Sequence, residues 1–101
     1  MLDATGLYRL DETSVRFFGT HVLRILQRGE VVVGRFGRRG TIKGTLHDFE
    51  LRAAWRERAC SGWLNATFDP TYDTFRGECG DEDDELIAQV QCTGTRIRRS
   101  F

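Results

Sequence analysis

The sequence predicts an all-β domain, a single antiparallel up-and-down meander of about eight strands closing into a small barrel or sandwich. Three observations carry this. Glycine recurs eleven times against one proline, Pro70, and punctuates the chain with tight turns. The segments between glycines are rich in β-branched and aromatic residues and have ordinary strand length. In the clearest of them apolar and polar residues alternate with period two, which puts one face in a core and the other in water.

Taken in order, Thr20 to Arg28 carries apolar residues at both helical and strand spacings. A helix would use Thr20 as N-cap and Gly29 as the residue after its last turn. A strand would pair Val22–Leu26 with Val31–Val33 through the glycine-containing turn Gln27-Arg28-Gly29-Glu30, and that turn favours the strand. Val31 to Phe36 is the next strand, ended by Gly37-Arg38-Arg39-Gly40. A hairpin follows: Thr41 to Leu46, a turn at His47-Asp48, then Phe49 to Trp55. Ile42, Gly44 and Leu46 share one face of the first arm, and Phe49, Leu51, Ala53 and Trp55 one face of the second. A second hairpin runs Gly62 to Phe68, turns at Asp69 to Asp73, and returns as Thr74 to Cys79. Pro70 presets the turn, and the flanking aspartates are placed to accept backbone N–H groups. Leu86 to Cys92 completes the set. Short connections make a meander, and closure hides its edges, so a barrel is expected before a sandwich. Trp55, Trp63, Phe17, Val33 and Phe75 are expected in the core. Phe18, Phe36 and Tyr72 are then outward and form a candidate interaction patch.

Gly34-Arg35-Phe36, Gly40-Thr41-Ile42-Lys43-Gly44, Trp55, Gly62-Trp63-Leu64 and Phe75-Arg76-Gly77 together resemble a pattern of uncharacterised bacterial β-domains punctuated by Gly, Trp and Phe. At the level of pattern it is similar to lipocalin-like or avidin-like small barrels. The resemblance spans Val33 to Gly80, implies architecture, and carries no catalytic residue across.

With 101 residues, the chain makes one domain over residues 1–101. Its 40% apolar and 30% charged residues argue for a globular fold. No apolar run reaches the roughly 18 to 20 residues of a membrane span, and Met1 to Gly6 lacks the basic-then-apolar order of a signal peptide, so the expected address is the cytoplasm. Cys60, Cys79 and Cys92 fit reduced thiols, with one bridge open; Cys60 and Cys79 become neighbours if their strands pair. Fourteen of fifteen basic residues are Arg and only Lys43 is Lys, a bias of GC-rich bacterial or phage sources.

Charge is the functional clue. Arg16 to Lys43 holds seven basic residues against Glu30, a balance of +6, and Asp69 to Glu85 holds eight acidic residues against Arg76, a balance of −7, in a chain of net charge zero. The two regions either form separate faces that steer partners or neutralise each other across the barrel. Arg35, Arg38, Arg39 and Lys43 are the candidate anion site, since guanidiniums and glycine-exposed N–H groups suit phosphate; P-loop and dinucleotide spacings are absent. Asp81, Glu82, Asp83, Asp84, Glu85 and Phe36 are candidate partner-binding residues. The acidic run lacks EF-hand spacing, and His47-Asp48 with the cysteines lacks a zinc pair, so no metal, cofactor or catalytic set is expected.

The leading expectation is a non-enzymatic protein-interaction module, with a homo-oligomeric or heterologous protein partner and a bacterial or phage immunity or defence setting. The alternative is nucleic-acid or nucleotide binding through residues 35–43, with Phe36 as an interleaved aromatic. A small enzyme ranks last.

Overall fold

Eight strands pair antiparallel in sequence order and the last returns to the first, closing a barrel. The computed structural model describes residues 2–82 and 89–97. The elements are β1 (Gly6–Leu10), α1 (Glu12–Phe18), β2 (Val22–Arg28), β3 (Val31–Phe36), β4 (Gly40–His47), β5 (Glu50–Glu57), β6 (Cys60–Phe68), β7 (Thr74–Asp81) and β8 (Val90–Arg96). Val22–Arg28 is a strand, joined to β3 by a turn in which Gly29 takes φ 61°. Both hairpins form, the first with its turn one residue later than expected, at Asp48-Phe49, because His47 pairs with Glu50; in the second, Asp69 Oδ1 accepts the Asp73 N–H at 2.8 Å inside the turn. The closing strand begins later than expected, at Val90, and runs to Arg96; Leu86 to Ala88 lie outside the described residues.

Inward residues follow the pleat. Leu23 and Ile25, Val32, Ile42 and Leu46, Leu51, Leu64 and Ala66, Cys79 and Cys92 fill the middle of the barrel. Aromatic rings fill its two ends, so side chains occupy an interior of eight-strand diameter. Four rings face glycines across the sheet: Phe36 opposite Gly40, Trp55 opposite Gly62, Trp63 opposite Gly80 and Phe75 opposite Gly94. A Cβ at Gly62 would sit 2.5 Å from the Trp55 ring and would also strike the Gly80 carbonyl. Through the space that Gly62 leaves, Trp55 Nε1 donates to Gly80 O at 3.1 Å.

One end of the barrel is closed by α1, which the strand pattern hid. Asp11 caps it, accepting the Ser14 N–H at 2.9 Å, and Gly19 ends it at φ 71°. Buried Ser14 in turn accepts the Thr93 N–H at 3.1 Å and fixes the helix to β8. Strand alternation therefore does not apply to Phe17 and Phe18. Both rings sit at the mouth, Phe17 5.6 Å from Trp55 and Phe18 5.0 Å from Phe36. This corrects the expected faces: Phe18 and Phe36 are buried, at 6% and 3% exposure, whereas Val33 is 39% exposed. The parity of β3 is set by Val32, Gly34 and Phe36 pointing inward, where a Cβ on Gly34 would crowd the Arg24 carbonyl at 2.7 Å. Phe75 is core as expected, and Trp63 instead lies half-buried on the outer wall, its ring across Gly80.

At the other end Tyr8, Phe68 and Phe75 meet with centroids 5.5 to 5.6 Å apart, and half-buried Tyr72 covers Phe68. Phe49 belongs to the β4–β5 turn, where Asp48 and Phe49 have φ 49° and 68°, and its ring packs 5.2 Å from Tyr72. The Tyr8 hydroxyl is shared between the Ala4 and Tyr72 carbonyls at 2.9 and 3.0 Å. Arg96 ties the same corner, donating to Thr71 O at 2.6 Å, Asp3 O at 3.2 Å and Asp73 Oδ1 at 3.3 Å.

The three cysteines are free thiols, as expected, and the bridge left open does not form. Cys60 is opposite Glu57 and exposed, while Cys79 and Cys92 are buried on neighbouring strands, all three as free thiols. The hydrogen bond it makes to Cys79, then burial, push the Cys92 thiol well above its ordinary range.

Two measurements check this account. Gly62→Ala is expected to lower the urea-unfolding free energy by about 1 to 3 kcal/mol, the range for overpacking. Burial pushes the Tyr8 hydroxyl up to about 12, with Arg96 opposing. A raised tyrosine pKa means the fold favours the protonated form, so its contribution is whole below pH 10 and is lost as pH climbs from 10 to 12. Tyr8→Phe is expected to flatten the alkaline limb of a stability–pH profile while costing about 1 kcal/mol at neutral pH.

A basic outer wall as candidate interaction surface

Residues that alternate with the core on β2 to β5 point outward, and the register lays them in rows. In the first row Arg24 is opposite Arg35, Arg35 opposite Thr41, and Thr41 opposite Arg56. In the second, Leu26 is opposite Val33, Val33 opposite Lys43, and Lys43 opposite Ala54. In the third, Arg28 is opposite Val31, Val31 opposite Thr45, and Thr45 opposite Arg52. The result is an apolar middle, with Leu26 and Val33 each 39% and Val31 47% exposed, framed by guanidiniums. An open groove of about 470 Å³ runs over β2, β3 and β4, with Leu26 and Val33 among its lining and Arg24, Arg35 and Lys43 around it.

The cations of this wall have no salt bridge among the described residues. The ion pairs lie elsewhere, Arg16 with Glu12 and Arg96 with Asp73, and the exposed His47 ring lies between the Glu30 and Asp48 carboxylates at 3.6 and 3.3 Å. Arg24 and Arg35 stand directly across from each other, a like-charge arrangement that costs the sheet stability.

The four expected anion-site residues are split. Arg35 and Lys43 line the groove on the wall, whereas Arg38 and Arg39 sit in the β3–β4 turn, in a smaller recess of about 160 Å³ shared with Glu57 and Arg58. A carboxylate in that recess weakens it as a phosphate cradle. Phe36, named as a partner-binding aromatic, is core, which corrects that expectation and removes the aromatic support for nucleic-acid stacking. The structure adds Arg24, Arg56 and Leu26. Their parity was visible in the sequence, but their position beside Arg35 depends on register.

The acidic run begins next to the β5 edge of the wall, beyond Ser61, the neighbour of Arg56. Asp81 is opposite Gly62, and Glu82 takes the Ser61 carbonyl at 2.9 Å through its N–H; Asp83, Asp84 and Glu85 lie outside the described residues. In the ring of eight, β7 is four strands from β3. Glu82 nevertheless borders the wall on its β5 side, sharing a recess with Thr41, Lys43 and Arg56, away from Arg24 and Arg35. Pairing of two copies through an open sheet edge is also ruled out for the described strands, because the barrel closes.

Among the described residues no cluster of His, Cys, Asp or Glu is arranged to hold a metal ion. No protein family, no curated protein and no solved structure matches the chain. There is accordingly no basis for assigning it to lipocalin-like or avidin-like barrels.

If the Arg24–Arg35 opposition is kept for binding, relieving it stabilises the isolated protein. Arg24→Glu is expected to raise the unfolding free energy by about 0.5 kcal/mol, an effect that shrinks as salt is raised. A loss of stability in denaturant titrations would contradict the assigned opposition.

Proposed function

We propose that this protein is a non-enzymatic protein-interaction module whose β2–β5 wall receives an acidic, apolar-centred surface of a partner. One observation supports the reading above others: the opposed Arg24 and Arg35 frame the exposed Leu26–Val33 pair and have no carboxylate partner among the described residues. Protein interfaces combine an apolar centre with a polar rim, and arginine is enriched in them because a planar guanidinium binds carboxylates in a two-pronged geometry. The segregated charge would steer such a partner to the correct side and quicken its encounter. A filled interior directs binding to the outside of the barrel.

The test uses the tagged full chain beside two variants, Arg24→Glu/Arg35→Glu and Leu26→Ser/Val33→Ser, both checked by thermal melting. Each is incubated with extract of the source organism and, separately, with labelled duplex DNA, single-stranded DNA and nucleotides. The expected result is a stoichiometric protein partner that the wild type retains and both variants lose. Equal capture by all three proteins would overturn the reading. Steeply salt-dependent DNA binding that the arginine variant loses would transfer the wall to nucleic acid instead.

A further inference from the structure

We infer that the Phe49–Tyr72 pair, at the end of the barrel remote from α1, is a second binding surface, which takes arginine side chains from a basic segment of a partner protein. It is separate from the β2–β5 wall and does not depend on it.

Phe49 stands where the backbone favours glycine. Asp48 and Phe49 are the two central residues of the β4–β5 turn, between the paired His47 and Glu50, and both have positive φ, 49° and 68°. Two-residue turns with positive φ at both positions prefer Asp-Gly or Asn-Gly. Asp48 fits that preference and Phe49 does not. Tyr72, in the β6–β7 turn, is likewise held at φ 60°. Bulky residues in this region are outliers, and here two of them meet, with ring centroids 5.2 Å apart and planes tilted by 42°. Closure of the barrel explains Tyr72, which packs on Phe68. It does not explain Phe49, because Tyr8, Phe68 and Phe75 already fill this end and Phe49 stays 37% exposed. Its ring extends an aromatic surface into solvent at a cost to the turn.

The surrounding charge selects the occupant. Residues 47–50 and 69–73 carry Asp48, Glu50, Asp69 and Asp73 and no Lys or Arg. Glu30 of the β2–β3 turn adds a carboxylate, with the His47 ring between it and Asp48. Arg96, the cation at this corner, is already held by Asp73 and by the Thr71 and Asp3 carbonyls. Arg28, Arg52 and Arg76 point to the sides of the barrel, the last two into a groove shared with Glu50 and Glu78. A cation drawn to Asp48 or Glu50 therefore arrives beside an exposed ring. Aromatic faces attract cations, and a guanidinium suits this rim because it stacks on a ring while its N–H groups bind carboxylates.

Fluorescence polarisation on the full chain tests this with a labelled peptide of alternating Gly and Arg, beside the same peptide carrying Lys or citrulline in place of Arg. The expected order is Arg tighter than Lys, with the neutral citrulline peptide unbound. Phe49→Gly keeps every charge and suits the turn, so it is expected to weaken the Arg peptide at least about tenfold, equivalent to about 1.4 kcal/mol, while its urea midpoint stays at or above that of the wild type. Phe49→Trp retains a ring and is expected to retain binding. Leu26→Ser/Val33→Ser, on the wall, is expected to bind the peptide as the wild type does, so the two surfaces stand or fall separately. An Arg peptide bound no better than the Lys peptide, or bound equally by Phe49→Gly, would reduce the effect to bulk charge and overturn the inference. A Phe49→Gly protein less stable than the wild type would assign the ring to the fold and overturn it as well.

Discussion

An aromatic ring laid against a glycine on the next strand is the contact on which this barrel depends. It occurs at Phe36 and Gly40, Trp55 and Gly62, Phe75 and Gly94, and, on the outer wall, Trp63 and Gly80. A small closed sheet must bend sharply, and glycine permits the bend at the cost of a missing side chain. The neighbouring ring restores that lost packing and covers the backbone. Where Trp55 reaches over Gly62, the ring also brings a donor to a carbonyl two strands away. Close packing and polar satisfaction are thus met by the same side chain.

This arrangement accounts for where function is sought. Phe17, Phe18, Phe36 and Trp55 occupy one mouth, and Tyr8, Phe68, Phe75 and Tyr72 the other. With both mouths filled by rings, the proposed recognition surface is the outer wall. Strands suit that purpose, because register places side chains from distant parts of the sequence in fixed rows.

The central strands were legible because their faces alternate and the turns at Gly29, Gly37 and Asp69-Pro70 mark their ends. The helix was not, because seven residues leave little room for a period and Phe17-Phe18 reads as strand material; Asp11, Ser14 and Gly19 were the available signals. The last strand was set too early because Thr93-Gly94-Thr95-Arg96 is polar and owes its place to Phe75 covering Gly94 and to Arg96 binding a distant corner. At the candidate site, alternation was enough to expose Arg35 and Lys43. It could not show that Arg24 and Arg56 join them, since cross-strand neighbours follow from register. Phe36 was misassigned because its inward face is decided by Gly34 and by the rings at the mouth.

Arg96 and the β1–β8 seam also bear on how the molecule is made. Tyr8 is opposite Arg96, so the first strand completes its pairing only once residue 96 has been made. On the ribosome, the earlier hairpins can form in sequence order while the sheet remains open along one side. Until residue 96 emerges, β1 lacks its partner on that side and the arginine tie to Asp3 and Thr71 is missing. The step that hides Tyr8 and the rings beside it therefore waits for β8, and until then the nascent domain carries a sticky open edge.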